Sequence, residues 1–327
     1  MLQGRSAILV LACAFVCAAD GRVRAQGPEE AVTRAGANRS LLGPPADLRL
    51  EFGSEILRGR AGFGIDADPF ESRLDYPVAG RHWVLRADVR PFGRNPRWSL
   101  TLEGALQTEL TGTTKDTDWA YGEKWLYSRS RTEGTSLRAR AGAGFDILRA
   151  PSLDFTGRLG VYYHRDVFTN FDLRQFTLKP GLTSPPLPDY EEVSGEISRY
   201  EMRTLGLTLE AEAVWRMAPA VLLRFRGAVF PLAYVSGFGN WKLRRYRFQQ
   251  YGISFFTSHV IGLDLSLCLT PWARVTAGLV RIDWRADWAV EDGQYADQPE
   301  YNYENESIVS FMRHLQYGFS LGVSVLL

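Results

Sequence analysis

The chain has 327 residues, with 38 Lys and Arg balanced against 37 Asp and Glu, and a net charge of +1. That balance excludes the basic footprint of a nucleic-acid binder, and no apolar run beyond the N-terminus approaches the ~20 residues of a spanning helix. A hydrophobic fraction of 45% leaves a membrane β-barrel open, because a barrel wall alternates lipid-facing with polar residues and averages near-neutral hydropathy.

The N-terminus reads as a targeting segment. Arg5 supplies the positive region and AILVLACAFVCAA (Ala7 to Ala19) the apolar one, too short to span as a helix. Cleavage sites follow Ala19 and Ala25. The second is favoured, giving a signal peptide over 1–25, a flexible polar leader over 26–47 and a folded body over 48–327. Cleavage removes Cys13 and Cys17 and leaves Cys268 alone, so no internal disulfide is expected, and no Cys/His spacing suits zinc.

Downstream, the chain alternates with period two. In RWSLTLEGALQTEL, Trp98, Leu100, Leu102 and Leu106 oppose Thr101, Glu103, Gln107 and Glu109. TSLRARAGAGFDIL sets Leu137, Phe145 and Ile147 against Arg138, Arg140 and Asp146. LGLTLEAEAVW and HVIGLDLSLCLT repeat the pattern, whereas Val275 to Trp288 slips phase near Arg281, which suggests a bulge. The C-terminal QYGFSLGVSVLL places Tyr317, Phe319, Leu321 and Val323 on one face and Gln316, Gly318, Ser320 and Gly322 on the other. A sandwich strand would rarely need such length.

Short turns at PFGRNP, APS, APA and PWA interleave with long polar connections at Gly64 to Glu71, Thr113 to Gly134, Asn170 to Ser198, Gly237 to Gly252 and Ala289 to Glu306. The whole predicts an all-β fold: a transmembrane up-and-down antiparallel barrel of about ten strands, with short periplasmic turns and long extracellular loops. Inward positions carry both charges, among them Arg86, Glu103, Arg138, Glu212, Arg224 and Asp264. In so narrow a lumen they should pair and close it. No second domain is indicated.

Three stretches suggest chemistry. KDTDWAYGEKW holds Asp116 and Asp118 one residue apart, followed by Trp119. NWKLRRYRFQQY interleaves Lys242, Arg244, Arg245 and Arg247 with Trp241, Tyr246 and Phe248. This basic hairpin suits clamping anionic groups, or neutralising Asp116 and Asp118 across a cleft. Of the four histidines, His82 is expected to hydrogen-bond in the lumen and His259 to lie on an apolar face. His314 is expected to edge a loop, and His164 to face inward near the top of its strand, with Asp166 two residues on. The prolines of KPGLTSPPLPDYEE suggest a stiff surface loop. Asp66 and Asp68 lack EF-hand spacing, and no metal is expected.

Short motifs add a resemblance. LEFGSEILRGRAGFG as a first strand, SRLDYP opening the second, DTDW after the third and GVYYHRDVFTNF topping the fifth resemble the omptins. These are outer-membrane barrels of about ten strands that act as surface endopeptidases, and the likeness runs from about Leu48 to Leu327. It implies that Asp116 and Asp118 are the Asp-x-Asp half of a catalytic cleft, with Trp119 following. The opposite wall should supply an Asp and a His that activate water, but the corresponding loop has neither. Ungapped placement puts Arg245 and Arg247 there, so the general base is missing. Omptins also bind lipopolysaccharide through outer-face basic and aromatic residues, where Tyr162, Tyr163 and Arg165 lie. The expected protein is thus a monomeric surface barrel in the outer membrane of a Gram-negative-type bacterium. Its peptidase activity is altered or lost, and it binds a peptide or protein ligand, with no cofactor beyond a lipopolysaccharide requirement. The alternative is an active aspartic-class endopeptidase that uses Asp116 and Asp118 with a non-standard base, His164 or a loop carboxylate such as one from VEDGQYADQPEYNYENE.

Overall fold

The computed structural model describes residues 48–90, 97–182, 186, 188–243 and 245–327, almost all of them in antiparallel strands. The expected signal peptide and leader, the turn Pro91 to Pro96 and Arg244 lie outside the described residues. The strands are β1 (Leu48–Ala67), β2 (Phe70–Pro77), β3 (Gly80–Val89), β4 (Trp98–Ala120), β5 (Glu123–Arg149), β6 (Leu153–Thr177) and β7 (Tyr190–Ala218). They continue as β8 (Val221–Trp241), β9 (Tyr246–Ser254), β10 (His259–Cys268), β11 (Ala273–Ala286), β12 (Trp288–Tyr295) and β13 (Tyr303–Leu326).

Three pairs of these strands are single staves with a short interruption: β2 with β3, β9 with β10, and β11 with β12. The lower ring closes as β1-β3-β4-β5-β6-β7-β8-β10-β11-β13 and back to β1, ten staves in all. The seam is continuous, from Arg49 opposite Leu326 up to Gly64 opposite Phe311. Above it, β2, β9 and β12 take the places of β3, β10 and β11, so the barrel wall continues upward. Closure leaves no lateral edge of unpaired backbone.

Side-chain polarity inverts partway up several staves. Low on β1, Phe52 and Ile56 are exposed outward while Glu55 is buried inward; higher up, Leu57, Ala61 and Phe63 are buried inward and Arg58 is exposed. On β7, Leu205, Leu207 and Leu209 point out below, whereas Tyr200 and Met202 point in above, beside exposed Arg203. β13 repeats this with Tyr317, Phe319 and Leu321 outside below and Met312 inside above. Apolar outward residues are what a lipid-facing wall requires, and apolar inward residues are what a wall in water requires.

This inversion corrects one expectation. The apparent phase slip near Arg281 is not a bulge, because β11 pairs without interruption with both β10 and β13. Val280, Ile282, Trp284 and Ala286 are buried inward and Arg281 and Arg285 exposed outward, above an outward Leu279. A genuine bulge lies instead between Gln107 and Leu110, so Glu109 is exposed rather than luminal.

The long polar connections are themselves mostly hairpin. β4 and β5 run to a two-residue turn at Tyr121 and Gly122, whose φ values of 53° and 74° fit the primed turn that matches strand twist. The inward face of this extension is a polar ladder rather than an apolar stripe. Asn170 Oδ1 accepts from Thr114 and Thr132 at 2.9 Å each, and Asn170 Nδ2 donates to Ser198 Oγ at 2.9 Å. Serine and threonine in that ladder hide the hydrophobic period that marks a strand.

The lower lumen is filled by ion pairs. Arg49, Arg86, Arg138, Arg140, Arg158, Arg224 and Arg226 meet Glu51, Glu55, Asp88, Glu103, Glu210, Glu212 and Asp264, seven of each sign. Arg224 bridges Asp264 at 3.0 Å and Glu51 at 3.2 Å; Glu212 takes Arg158 at 3.0 Å and Arg86 at 3.1 Å. Cavities of about 20 and about 30 Å³ lie among them, each with room for one or two waters.

Buried pairs such as these contribute little net stability, but removing one partner strands a charge. Arg224→Met should therefore lower the unfolding free energy of the detergent-refolded barrel in urea by about 3–5 kcal/mol. Arg131→Met, at an exposed pair with Asp172, should leave the midpoint unchanged. Equal losses at both would contradict a desolvated lumen.

Candidate functional site

Asp116 and Asp118 lie on the upper extension of β4, in register with Leu74 and Ser72 of β2 on one side and Ser128 and Leu126 of β5 on the other. Both are half-buried on the inward face, and Ser72 Oγ donates to Asp116 Oδ1 at 3.4 Å. Strand alternation turns the intervening Thr117 to the opposite face, and Trp119 follows at a register shift between β4 and β5. Asp116 also lies close enough to Tyr76 to act on it: burial first, and then this charge, push the Tyr76 phenol well above its ordinary pKa.

The facing wall differs from what the sequence suggested. Two cations of the basic hairpin between β8 and β9 pair elsewhere. Lys242 pairs with Glu196 at 2.7 Å and Arg245 with Asp297 at 2.9 Å, both at the exposed rim. Arg247 alternates outward between buried Tyr246 and Phe248. The inward groups on this wall are Tyr246, Phe248, Gln250 and, from β12, Glu291. The Glu291 carboxylate accepts from Tyr246 Oη at 2.6 Å, from Gln250 Nε2 at 2.6 Å and from the Tyr303 hydroxyl.

Aromatic rings fill the space between the walls. Tyr76 stacks on Phe168 at 4.6 Å and on Tyr200 at 5.0 Å; Phe63 packs on Tyr200 at 5.1 Å and on Phe248 at 5.6 Å. Tyr200 Oη donates to Gln250 Oε1 at 2.9 Å, which completes a packed bridge from Tyr76 to Glu291. Two glycines on β8 make the bridge possible. A Cβ at Gly237 would meet Tyr200 Oη at 2.2 Å, and one at Gly239 the Phe248 ring at 2.1 Å.

His164 is not part of this region. Asp116 registers with Ser128, and Ser128 with Gln175 of β6. Gln175 lies 175 − 164 = 11 residues beyond His164, or about 36 Å along the strand. A water held by the aspartates is out of reach of that imidazole.

The lumen instead gathers His164 with residues from distant staves. Its Nε2 lies 3.1 Å from Asp166 Oδ1 and 3.1 Å from Ser136 Oγ; its Nδ1 lies 3.2 Å from the Tyr162 hydroxyl and takes a long contact of 3.4 Å from Trp284 Nε1. His314 Nδ1 approaches Asp166 Oδ2 at 2.9 Å, and the His314 ring stacks on Trp284 at 5.1 Å. All of these side chains are buried. His314 therefore does not edge a loop. β6 and β13 are five staves apart in a ring of ten, so His164 and His314 meet across the lumen. His82 is buried on β3, but neither ring nitrogen has a hydrogen-bond partner, contrary to expectation. No spacing in the sequence joins these residues; inward parity combined with closure does.

Tyr163 and Arg165 lie on the outer face, but Tyr162 does not. It is buried in the lumen against Phe230 at 5.1 Å, as adjacent strand residues must face opposite sides. Arg165 makes a two-pronged contact with Glu201, at 2.8 Å from Nε and 2.7 Å from Nη2.

This architecture, a closed ten-stave barrel with a lipid-type girdle and a projecting upper wall, defines the class as an omptin-like outer-membrane barrel fold. The outer-membrane protease OmpT of Escherichia coli superposes with a TM-score of 0.73 at 11% identity, over 89% of this chain and all of OmpT. The toluene transporter TodX of Pseudomonas putida (8% identity, 88% of this chain and 91% of that one) and a Pseudomonas aeruginosa FadL homologue (8%, 85% and 90%) give TM-scores of only 0.29 and 0.30. No family model and no curated protein matches the chain.

The aromatic bridge carries a pH signature. Burial, and then Glu291, push the Tyr246 phenol up as well. Tyr76 and Tyr246 thus stay protonated in the fold, while unfolded tyrosines ionise near pH ~10. Their contribution is complete below that pH and is lost as pH rises further. Stability measured from about pH 9 to about pH 11.5 should fall, and Tyr246→Phe should make the fall shallower by up to about 1.4 kcal/mol per pH unit. An unchanged slope would contradict a buried phenol there.

Proposed function

We propose that the chain is an exported outer-membrane barrel that has lost omptin-type proteolysis and acts through its projecting rim as a binding surface. The observation that carries this reading is the aromatic bridge. Omptin-type hydrolysis needs a base within hydrogen-bond reach of a water held between the walls. Here Tyr76, Tyr200 and Phe248 occupy that space, and the facing carboxylate, Glu291, is already saturated by donors. The alternative, an aspartic-class endopeptidase built on Asp116 and Asp118, would require this packed bridge to open and His164 to act from far below.

The rim supports binding. Tyr121 is 74% exposed and Tyr301 61%, and Phe70, Tyr190 and Leu243 are also exposed at hairpin tips above the girdle. Large apolar side chains that face water rather than lipid, interleaved with Lys242, Arg245 and Arg247, suit a peptide or protein ligand. Tyr163 and Arg165, lower on the outer face, would meet lipopolysaccharide headgroups. Asp116, Asp118 and Trp119 then serve the mouth's structure.

A quenched-fluorescent peptide library offered to the refolded barrel with lipopolysaccharide should show no cleavage above the detergent blank. Asp118→Asn should behave as wild type. Cleavage that disappears in Asp118→Asn would overturn the reading.

A further inference from the structure

We infer that His164, Asp166 and His314 form an intraluminal site for one divalent transition-metal ion of the zinc type, independent of what the rim does. Two imidazoles and a carboxylate present ligand atoms that all lie within 4.8 Å of one another. His164 Nε2 is 3.1 Å from Asp166 Oδ1 and His314 Nδ1 is 2.9 Å from Asp166 Oδ2. Donors bound at ~2.0–2.1 Å to one ion in tetrahedral geometry lie ~3.3 Å apart, so modest adjustment suffices. Two histidines with one carboxylate is also a recurrent donor set for zinc and related ions.

The surroundings fit the same assignment. His314 Nε2 and both nitrogens of His82 are buried without hydrogen-bond partners, an unfavourable arrangement for imidazoles that only one another would satisfy. His82 lies within electrostatic reach of His164, Asp166 and His314. A ligating imidazole donates its other N–H to a fixed acceptor, and the Tyr162 hydroxyl stands 3.2 Å from His164 Nδ1. Trp284 donates to that same nitrogen at 3.4 Å. With the ion on Nε2, Nδ1 carries a proton and this long contact breaks. Loading should therefore move Trp284, which stacks on His314.

The site is buried, with the aromatic cluster of Tyr76, Phe168 and Tyr200 on one side and the ion-pair layer on the other. The ion would enter as the barrel closes and leave only when it unfolds.

The test uses the full barrel refolded in detergent with Zn²⁺ and desalted through a chelator, with metal measured by mass spectrometry. About one zinc per chain should remain, and should be released on unfolding. His314→Ala and Asp166→Asn should fall to background, while His259→Ala, on the outer face, should match wild type. Heat-modifiable gel mobility checks folding of each variant. If the ligand variants do not fold, wild-type barrel refolded with Co²⁺ decides: nitrogen-ligated visible bands and a changed Trp284 fluorescence support the site. Wild type without retained zinc or cobalt bands, or folded ligand variants that retain zinc, would overturn the inference. In the first case Asp166 is simply shared by hydrogen bonds between two imidazoles.

Discussion

A strand that leaves lipid and continues into water must exchange its faces. In the bilayer the outward side is apolar and the inside must satisfy polar groups without bulk solvent. Above it, the outward side is charged and the inside becomes an ordinary protein core. β1, β7, β11 and β13 obey both demands in succession. Phe52 and Ile56 give way to Arg58 on the outside of β1 while Glu55 gives way to Leu57, Ala61 and Phe63 within. The level at which this exchange occurs divides the molecule into two differently built halves.

The two halves close the lumen by different physics. Below, seven arginines and seven carboxylates neutralise one another in a layer where an unpaired charge would be prohibitive. Above, stacked aromatics span from wall to wall and depend on two bare glycines for room. His164, Asp166 and His314 sit at the junction. Omptin-like architecture therefore need not imply an omptin-like cleft. Here Tyr76, Tyr200 and Phe248 stack together between the walls, and Asp116 lies beside a phenol that burial keeps protonated.

Much of the fold was legible because lipid imposes a strict pattern. Period-two alternation in QYGFSLGVSVLL marked the last strand, and inward assignments such as Arg138, Glu212 and Asp264 proved to be buried ion partners. The pattern misled where the faces exchange, as at Arg281, and where a Thr–Asn ladder replaced apolar packing in the extensions. The site was less legible. Tyr162 was grouped with Tyr163 although alternation separates them. His164 and His314 are 150 residues apart and become neighbours only when the ring closes. Likewise Lys242 and Arg245 found nearer acids in Glu196 and Asp297, which no local spacing announces.

The proposed rim function rests on a lumen shut at both levels, by ion pairs below and stacked rings above. Single-molecule conductance in a planar lipid bilayer tests it most directly. Insertion of the folded barrel should raise no stable current steps above baseline under a steady potential. Long-lived, wide, ohmic openings from that same barrel would contradict the account.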